Sequence, residues 1–435
     1  MSSASEETRA ATASESEFSR GYARYVLGVL SLVYVFNFID RQILAMLLEP
    51  IKQDLQVSDT LMGFLSGFAF ALLYTFAGIP IARWADTGSR RSIIALGLTV
   101  WSAMTAACGL AQSFVQLALA RVGVGIGEAA GSPPAHSLIS DYFPPERRGT
   151  ALSVYSMGVY VGAAIAFLAG GYLREHFDWR VAFLVVGLAG VPLAVLLRTT
   201  VREPPRGHSE GGPVDARTDS VWEVMRFLAS RRSFVFLVIA ASIQSISGYG
   251  VLAWGPTFLG RVHQMGGVEI GIWFGLTVGL GGIGGAFLGG SIADRLGARD
   301  SRWYLFLSAI VCLTGVPFAA GFALAADATT ALLCFIPFYV LAAMYVGPML
   351  WMVQGLVKLR MRAMASAILL FILNLVGLGL GPLLIGFMND QLADRFGVEA
   401  IRYSLLVVGM VGVPSSAFFL LASRTLREDL RARDA

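Results

Sequence analysis

The sequence predicts an all-α membrane protein, with twelve transmembrane helices in two six-helix halves. Three observations carry this reading. Of 435 residues, 56% are hydrophobic and only 14% are charged, with a mean hydropathy of +0.67; a soluble domain carries about 25% charged residues. Apolar runs near the roughly 20 residues that a bilayer-crossing helix needs recur along the whole chain. Two polar loops, one in each half, resemble each other.

The runs lie at about 22–50, 58–82, 92–112, 114–139, 149–173, 180–199, 233–259, 268–293, 303–325, 330–351, 363–388 and 402–423. They lack the period-two alternation of a lipid-facing barrel strand, the only β alternative in lipid. Lysine and arginine orient them. With the N-terminus inside, the inner tails and loops hold 25 of these residues and the outer loops six, namely Lys52, Arg174, Arg180, Arg261, Arg395 and Arg402. Both termini are therefore expected in the cytoplasm, in a multi-pass cell (inner) membrane protein. Residues 1–21 are polar and lack a secretory signal, so they read as a disordered cytosolic tail. The expected bodies are a bundle at 22–199, a Pro-, Gly- and Arg-rich linker at 200–232, a second bundle at 233–423 and a tail at 424–435.

The two similar loops follow spans 2 and 8. Residues 82–91 read ARWADTGSRR and residues 290–299 read GSIADRLGAR. Later in each half, ERRGTALS (146–153) enters span 5 and RMRAMASA (360–367) enters span 11. Shared motifs at corresponding spans imply duplicated halves. The loops resemble the G-x-L-A-D-R-x-G-R-K pattern between spans 2 and 3 of major facilitator superfamily transporters. Gly290, Ala293, Asp294, Arg295, Gly297 and Arg299 follow it; in the first copy Ala82, Thr87 and Ser89 depart from it, while Asp86, Arg90 and Arg91 remain. The resemblance implies a cytoplasmic gate of Asp86, Arg90, Arg91, Arg148, Asp294, Arg295 and Arg299. It would latch one half to the other in the outward-open state and release in the inward-open one. Capping of helix ends and positive-inside bias are the plainer roles for the same charges.

Charges inside a span are rare and mark function. Asp40 and Arg41 lie in span 1, between VLGVLSLVYVF and ILAMLL; Arg121 and Glu128 lie in span 4. All four fall near mid-depth. Arg121 and Glu128 are seven residues apart, nearly two turns and about 10 Å along one face. Gly123, Gly127 and Gly131 form a separate stripe suited to close helix packing. The set suits proton-coupled anion movement. Arginine offers permanent charge and forked donors for a carboxylate or phosphate, and Asp40 or Glu128 could carry the proton. A static ion-pair network that fixes helix packing is the alternative.

Spans 7 to 12 carry no Asp, Glu, Lys or Arg in their interiors, and offer Tyr249, Trp254, Tyr339 and Asn374 instead. With Asn37, these are candidates to line a substrate site whose charged half faces an apolar, aromatic half. The segment GLGGIG (279–284) matches a nucleotide-binding pattern but lacks its strand–loop–helix setting. No phosphate-cradling P-loop occurs, which disfavours an ATP-driven pump. The three cysteines fit no disulfide framework or zinc spacing, and the four histidines have no partner at metal-ligand spacing. No cofactor or metal is expected, no nucleic-acid partner, and no enzyme activity, since no nucleophile is paired with a base.

Within the superfamily, NFIDR (37–41), RVGVGIGEAA (121–130), DWRVAF (178–183) and RMRAMASA are similar to the spinster (Spns) group, in a chain of bacterial composition. That resemblance implies alternating-access transport of a lysophospholipid or a sphingosine-1-phosphate-like lipid, with proton coupling in some members. It implies roles in substrate or proton binding for Asp40, Arg41, Arg121 and Glu128. Anion:cation symporters of small organic or sugar acids are similar at the same positions, so a proton-coupled symporter of such acids is the alternative. One six-plus-six chain suffices as a monomer with a small amphipathic anion, protons and the bilayer as its partners.

Overall fold

The computed structural model describes residues 18–206, 221–358 and 361–431, and every regular element among them is helical. Most of the N-terminal tail, the centre of the linker and the last four residues lie outside the described residues. The spans are α1 Arg20–Leu55, α2 Asp59–Thr87, α3 Arg90–Cys108, α4 Phe114–Tyr142, α5 Pro145–His176, α6 Trp179–Thr200, α7 Arg232–His263, α8 Gly267–Gly297, α9 Trp303–Leu324 and α10 Ala328–Gly355. The apolar stretch Met364–Arg431 then runs for 68 residues. At 1.5 Å per residue this is about 100 Å, three times a hydrocarbon core of about 30 Å. It turns back at Gly397, whose φ of 56° glycine adopts without steric cost. It therefore forms two crossings, α11 (Arg362–Leu373, Asn374–Leu380, Gly381–Phe396) and α12 (Ala400–Gly409, Gly412–Arg431). The even number of crossings puts both ends of the described chain on one face, here called the terminal face.

The two halves share details that no motif displays. α1 ends at Gln56 with φ 53° and α7 ends at Gln264 with φ 55°. Each glutamine donates its side-chain amide back three residues, to the carbonyls of Gln53 at 2.5 Å and Arg261 at 2.9 Å. The first helix of each half thus stops by the same local device. A short amphipathic helix, Val221–Ala229, precedes α7 and buries Val224 and Leu228.

The halves meet along two seams, α5 with α8 and α2 with α11. A Cβ on Gly171 of α5 would lie 2.4 Å from the Gly267 carbonyl of α8, and one on Gly63 of α2 would lie 2.4 Å from the Pro382 carbonyl of α11. Both close approaches lie near the face opposite the termini. One wide π-type turn interrupts α2 (Phe64–Phe68), α8 (Thr277–Gly281) and α11 (Asn374–Leu380). All three are helices of the seams, and such turns are common at functional sites.

Gly171→Leu would overpack the α5–α8 seam, at a cost of about 1–3 kcal/mol, or about 5- to 150-fold in the balance between closed and open states of this face. Spin labels at His176 and Glu269 should report a longer mean distance than in the wild type. An unchanged distance distribution would show that the seam does not set this state.

Candidate functional site

The four intramembrane charges come together at the centre of the first half and pair crosswise. The Arg41 guanidinium on α1 donates to Glu128 Oε2 on α4, from Nη2 at 2.7 Å and Nε at 3.3 Å. Arg121 Nη1 on α4 donates to Asp40 Oδ1 on α1 at 3.3 Å and to its backbone carbonyl at 3.5 Å. Consecutive helical residues diverge by about 100°, so Asp40 and Arg41 reach different partners. Thr105 of α3 donates its hydroxyl to Asp40 Oδ2. The predicted glycine stripe works as packing: Cβ atoms on Gly123 and Gly127 would strike Met104 and Trp101 of α3.

Asp40, Arg121 and Glu128 are each almost wholly buried, so every charge needs its partner. Glu128 Oε1 and Arg121 Nε meet no partner at close hydrogen-bond distance among the described residues. Asn37 is buried next to Glu128. The Arg41 guanidinium lies over Phe38, Phe70 and Tyr74, at 5.0, 4.8 and 4.8 Å from the ring centres. These rings and Thr105 are the site residues that sequence reading missed. Only their spacing from Arg41 and Asp40 along α1 and across to α2 and α3 could have signalled them, and that needs the fold.

Tyr249 of α7 faces this centre from the other half and donates its hydroxyl to Asn374 Oδ1 of α11 at 3.5 Å. A small cavity lined by Arg41, Ser66, Tyr249 and Leu378 joins the two sides. Tyr339 lies beside Tyr160 and Tyr249 and packs on Phe335. Trp254 is placed elsewhere. Its buried indole donates to the Pro382 carbonyl at 2.9 Å, so it locks α7 to α11 rather than facing the charged centre.

The expected gate residues lie at the terminal face, and the bonds seen there run within each half. Arg90 is buried and donates to Asp141, to Glu203 Oε1 at 2.8 Å and to the Pro204 carbonyl at 3.0 Å. Arg91 donates to Glu203 through its amide at 2.8 Å and to the Val201 carbonyl at 3.0 Å. Arg206 donates to the carbonyls of Ala85 and Gly88 at the end of α2. The start of the linker is thereby fastened to the α2–α3 loop. Burial by itself would raise the Glu203 carboxyl, but the Arg90 guanidinium and the Arg91 amide hold it below the usual range. Asp294 accepts from the Tyr304 hydroxyl at 3.0 Å. Asp86, Arg295 and Arg299 are exposed, and Arg148 is half-buried.

The halves are instead bridged at the opposite face. Arg261 of α7 holds Glu49 of α1 at 2.5 Å and Asp59 of α2 at 2.6 Å. Lys52 adds a second cation to Asp59 at 2.7 Å, and Asn389 of α11 donates to it at 2.9 Å. Asp390 of α11 accepts from the Asp59 and Thr60 amides at 3.1 and 2.8 Å, capping a helix that belongs to the other half. Sequence reading used Lys52 and Arg261 only as orientation markers. The acids Glu49, Asp59 and Asp390 at the same depth were the missed signal.

Residues 30–382 match the Major Facilitator Superfamily. The chain belongs to that superfamily. It is 35% identical, over 93% of both chains, to an MFS-type efflux pump of Mycolicibacterium smegmatis. It is 27% identical to human protein spinster homolog 1, over 95% of this chain and 83% of that one. Among solved structures it resembles a bacterial homologue of the human lysosomal transporter spinster in an inward-facing, unoccupied conformation. That match has a TM-score of 0.86 and 32% identity over 95% of this chain and 99% of that one; the occupied, inward-facing form gives 0.84. Within the superfamily this is a spinster homologue, a multi-pass membrane transporter of small-molecule substrate.

Two outcomes test the charge networks. Arg261→Ala leaves Glu49 and Asp59 short of a partner, which for buried pairs costs about 3–5 kcal/mol. Labels across that face should show it opening, and retention of the closed distance would rule out a latch there. Glu203→Gln should lower stability at neutral pH by about 1.5–3 kcal/mol, as for a hydrogen bond to a charged group. Because the folded carboxyl titrates below its ordinary value, this stabilisation is complete above about pH 4.3 and fades as pH falls through the lower folded value. The melting-temperature gap between variant and wild type should therefore narrow towards acid.

Proposed function

We propose that this chain is a proton-coupled secondary transporter that moves an amphipathic anion, a lysophospholipid or sphingosine-1-phosphate-like lipid, by alternating access. The observation that carries the reading is the crosswise quartet at mid-membrane, with Arg41 bordering a cavity between the halves. An anionic headgroup competes with Glu128 for Arg41. Once released, Glu128 is a buried carboxylate without its cation, a state worth several kcal/mol of destabilisation, which a proton removes. Binding of anion and proton are thereby linked. Arg121 holds Asp40 in the same way, with Thr105 as a second donor, so Asp40 is the second candidate for the proton. The apolar second half, with Tyr249, Asn374 and Tyr339, suits the hydrocarbon tail.

The terminal face is the cytoplasmic one in this reading, in a cell (inner) membrane with both termini inside and a monomer as the working unit. The excess of lysine and arginine at that face supports it. In the opposite state the two Asp86- and Asp294-bearing loops, with Arg90, Arg91, Arg148, Arg295 and Arg299, close the cytoplasmic side. The small size of the cavity beside Arg41 favours a second reading, symport of compact organic or sugar acids.

Proteoliposomes under an imposed pH gradient separate these readings, with a lysolipid phosphate and a sugar acid as probes. The lipid should accumulate in response to the gradient; movement of the sugar acid alone would establish the second reading, and indifference to pH would remove proton coupling. Glu128→Gln should abolish gradient-driven accumulation and spare counterflow exchange. Equal loss of both would assign Glu128 to binding or packing. Arg41→Ala should weaken anion binding about tenfold to hundredfold, as expected for a charge-assisted hydrogen bond of about 1.5–3 kcal/mol. Unchanged affinity would exclude Arg41 as the headgroup ligand.

A further inference from the structure

We propose that His136, Tyr155, Tyr34 and Ser132 form a second anion subsite, on the open side of Arg41, which receives a phosphate monoester or carboxylate headgroup before the central site does. The inference rests on the anion-transport reading above. α4 is interrupted just after Glu128, where Ala129–Gly131 form a turn and Ser132 starts a new helical segment. Pro133 and Pro134 follow, and neither has an amide hydrogen to continue the ladder. The interruption turns Ser132 and His136 towards α1 and α5.

There the His136 ring packs edge-on to Tyr155 of α5, with ring centres 5.3 Å apart, and Tyr155 stacks on Tyr34 of α1 at 4.3 Å. Ser132 interacts with the hydroxyls of both tyrosines. Tyr155 is buried, whereas His136 is exposed. Three hydroxyls carry three hydrogens, and a chain of three uses only two of them internally. One O–H is left to donate outwards, beside an imidazole N–H. Among the described residues no carboxylate pairs with the His136 ring, so nothing negative competes with an incoming anion.

The position suits a stepping stone. Tyr34 precedes Arg41 by seven residues, about 10 Å along α1 and on the same face. His136 follows Glu128 by eight residues, beyond the turn at Ala129–Gly131. A headgroup entering from the terminal face meets the hydroxyls and the imidazole first and the guanidinium second. Hydroxyl donors hold an anion less tightly than a guanidinium does, so the headgroup passes on.

Carbethoxylation by diethyl pyrocarbonate, read residue by residue in nanodiscs, tests this with octyl phosphate as probe and octanol as control. Octyl phosphate should slow labelling of His136 several-fold, octanol should not, and the protection should persist in Arg41→Ala. Tyr155→Phe, which keeps the ring and removes the hydroxyl, should reduce the protection. His136→Gln should raise the KM for uptake several-fold with little change in maximal rate. Unprotected His136, equal protection by octanol, or loss of protection in Arg41→Ala would each overturn the subsite. Protection that persists while no anion is transported would uphold the subsite and sink the transport reading instead.

Discussion

The cost of a charge in a low-dielectric interior governs this molecule. Four ionisable side chains sit near the middle of a bilayer-crossing bundle, and the fold answers by giving each a partner on another helix. Asp40 and Arg41 are neighbours in sequence yet answer to Arg121 and Glu128 separately. The crosswise arrangement ties α1 to α4 at two points, and Thr105 brings in α3. Asn37 is buried beside Glu128 as a further polar neighbour.

The same accounting explains the asymmetry between the faces. At one, arginine and lysine from the two halves converge on Asp59 and Glu49, and Asp390 caps the start of α2 across the divide. Close backbone contact at Gly171 and Gly63 adds packing that larger residues would forbid. At the terminal face, Arg90 and Arg91 spend their hydrogen bonds on Asp141, Glu203 and the start of the linker, all within the first half. Among the described residues, the ion pairs between the halves lie at the face opposite the termini. The similarity to inward-facing spinster structures agrees with that placement.

Pseudo-symmetry sets what can move. Each half closes its first helix with a left-handed glutamine, and wide turns interrupt three of the four seam helices. A wide turn breaks the regular hydrogen-bond ladder at one place, which lets the ends of a seam helix reorient without unfolding it. Lipid surrounds the bundle and offers no competing hydrogen bonds, so such breaks survive only where another helix covers them.

By itself the sequence determined the fold class, the spans, the duplication and the four charges within spans 1 and 4. Each of these follows from a property carried along the chain: hydropathy over about 20 residues, the repeat of a loop motif, the spacing of charges on one helix. The spinster resemblance rested on the same local strings. Tertiary structure decided which charge meets which, that Trp254 packs while Tyr249 borders Arg41, and that Glu49, Asp59, Arg261 and Asp390 form one network. It also brought His136 beside Tyr155 and Tyr34. These pairings join residues tens to hundreds of positions apart, and no local pattern encodes them. They depend on how helices cross and on which face each turns inward, which only the packed bundle specifies.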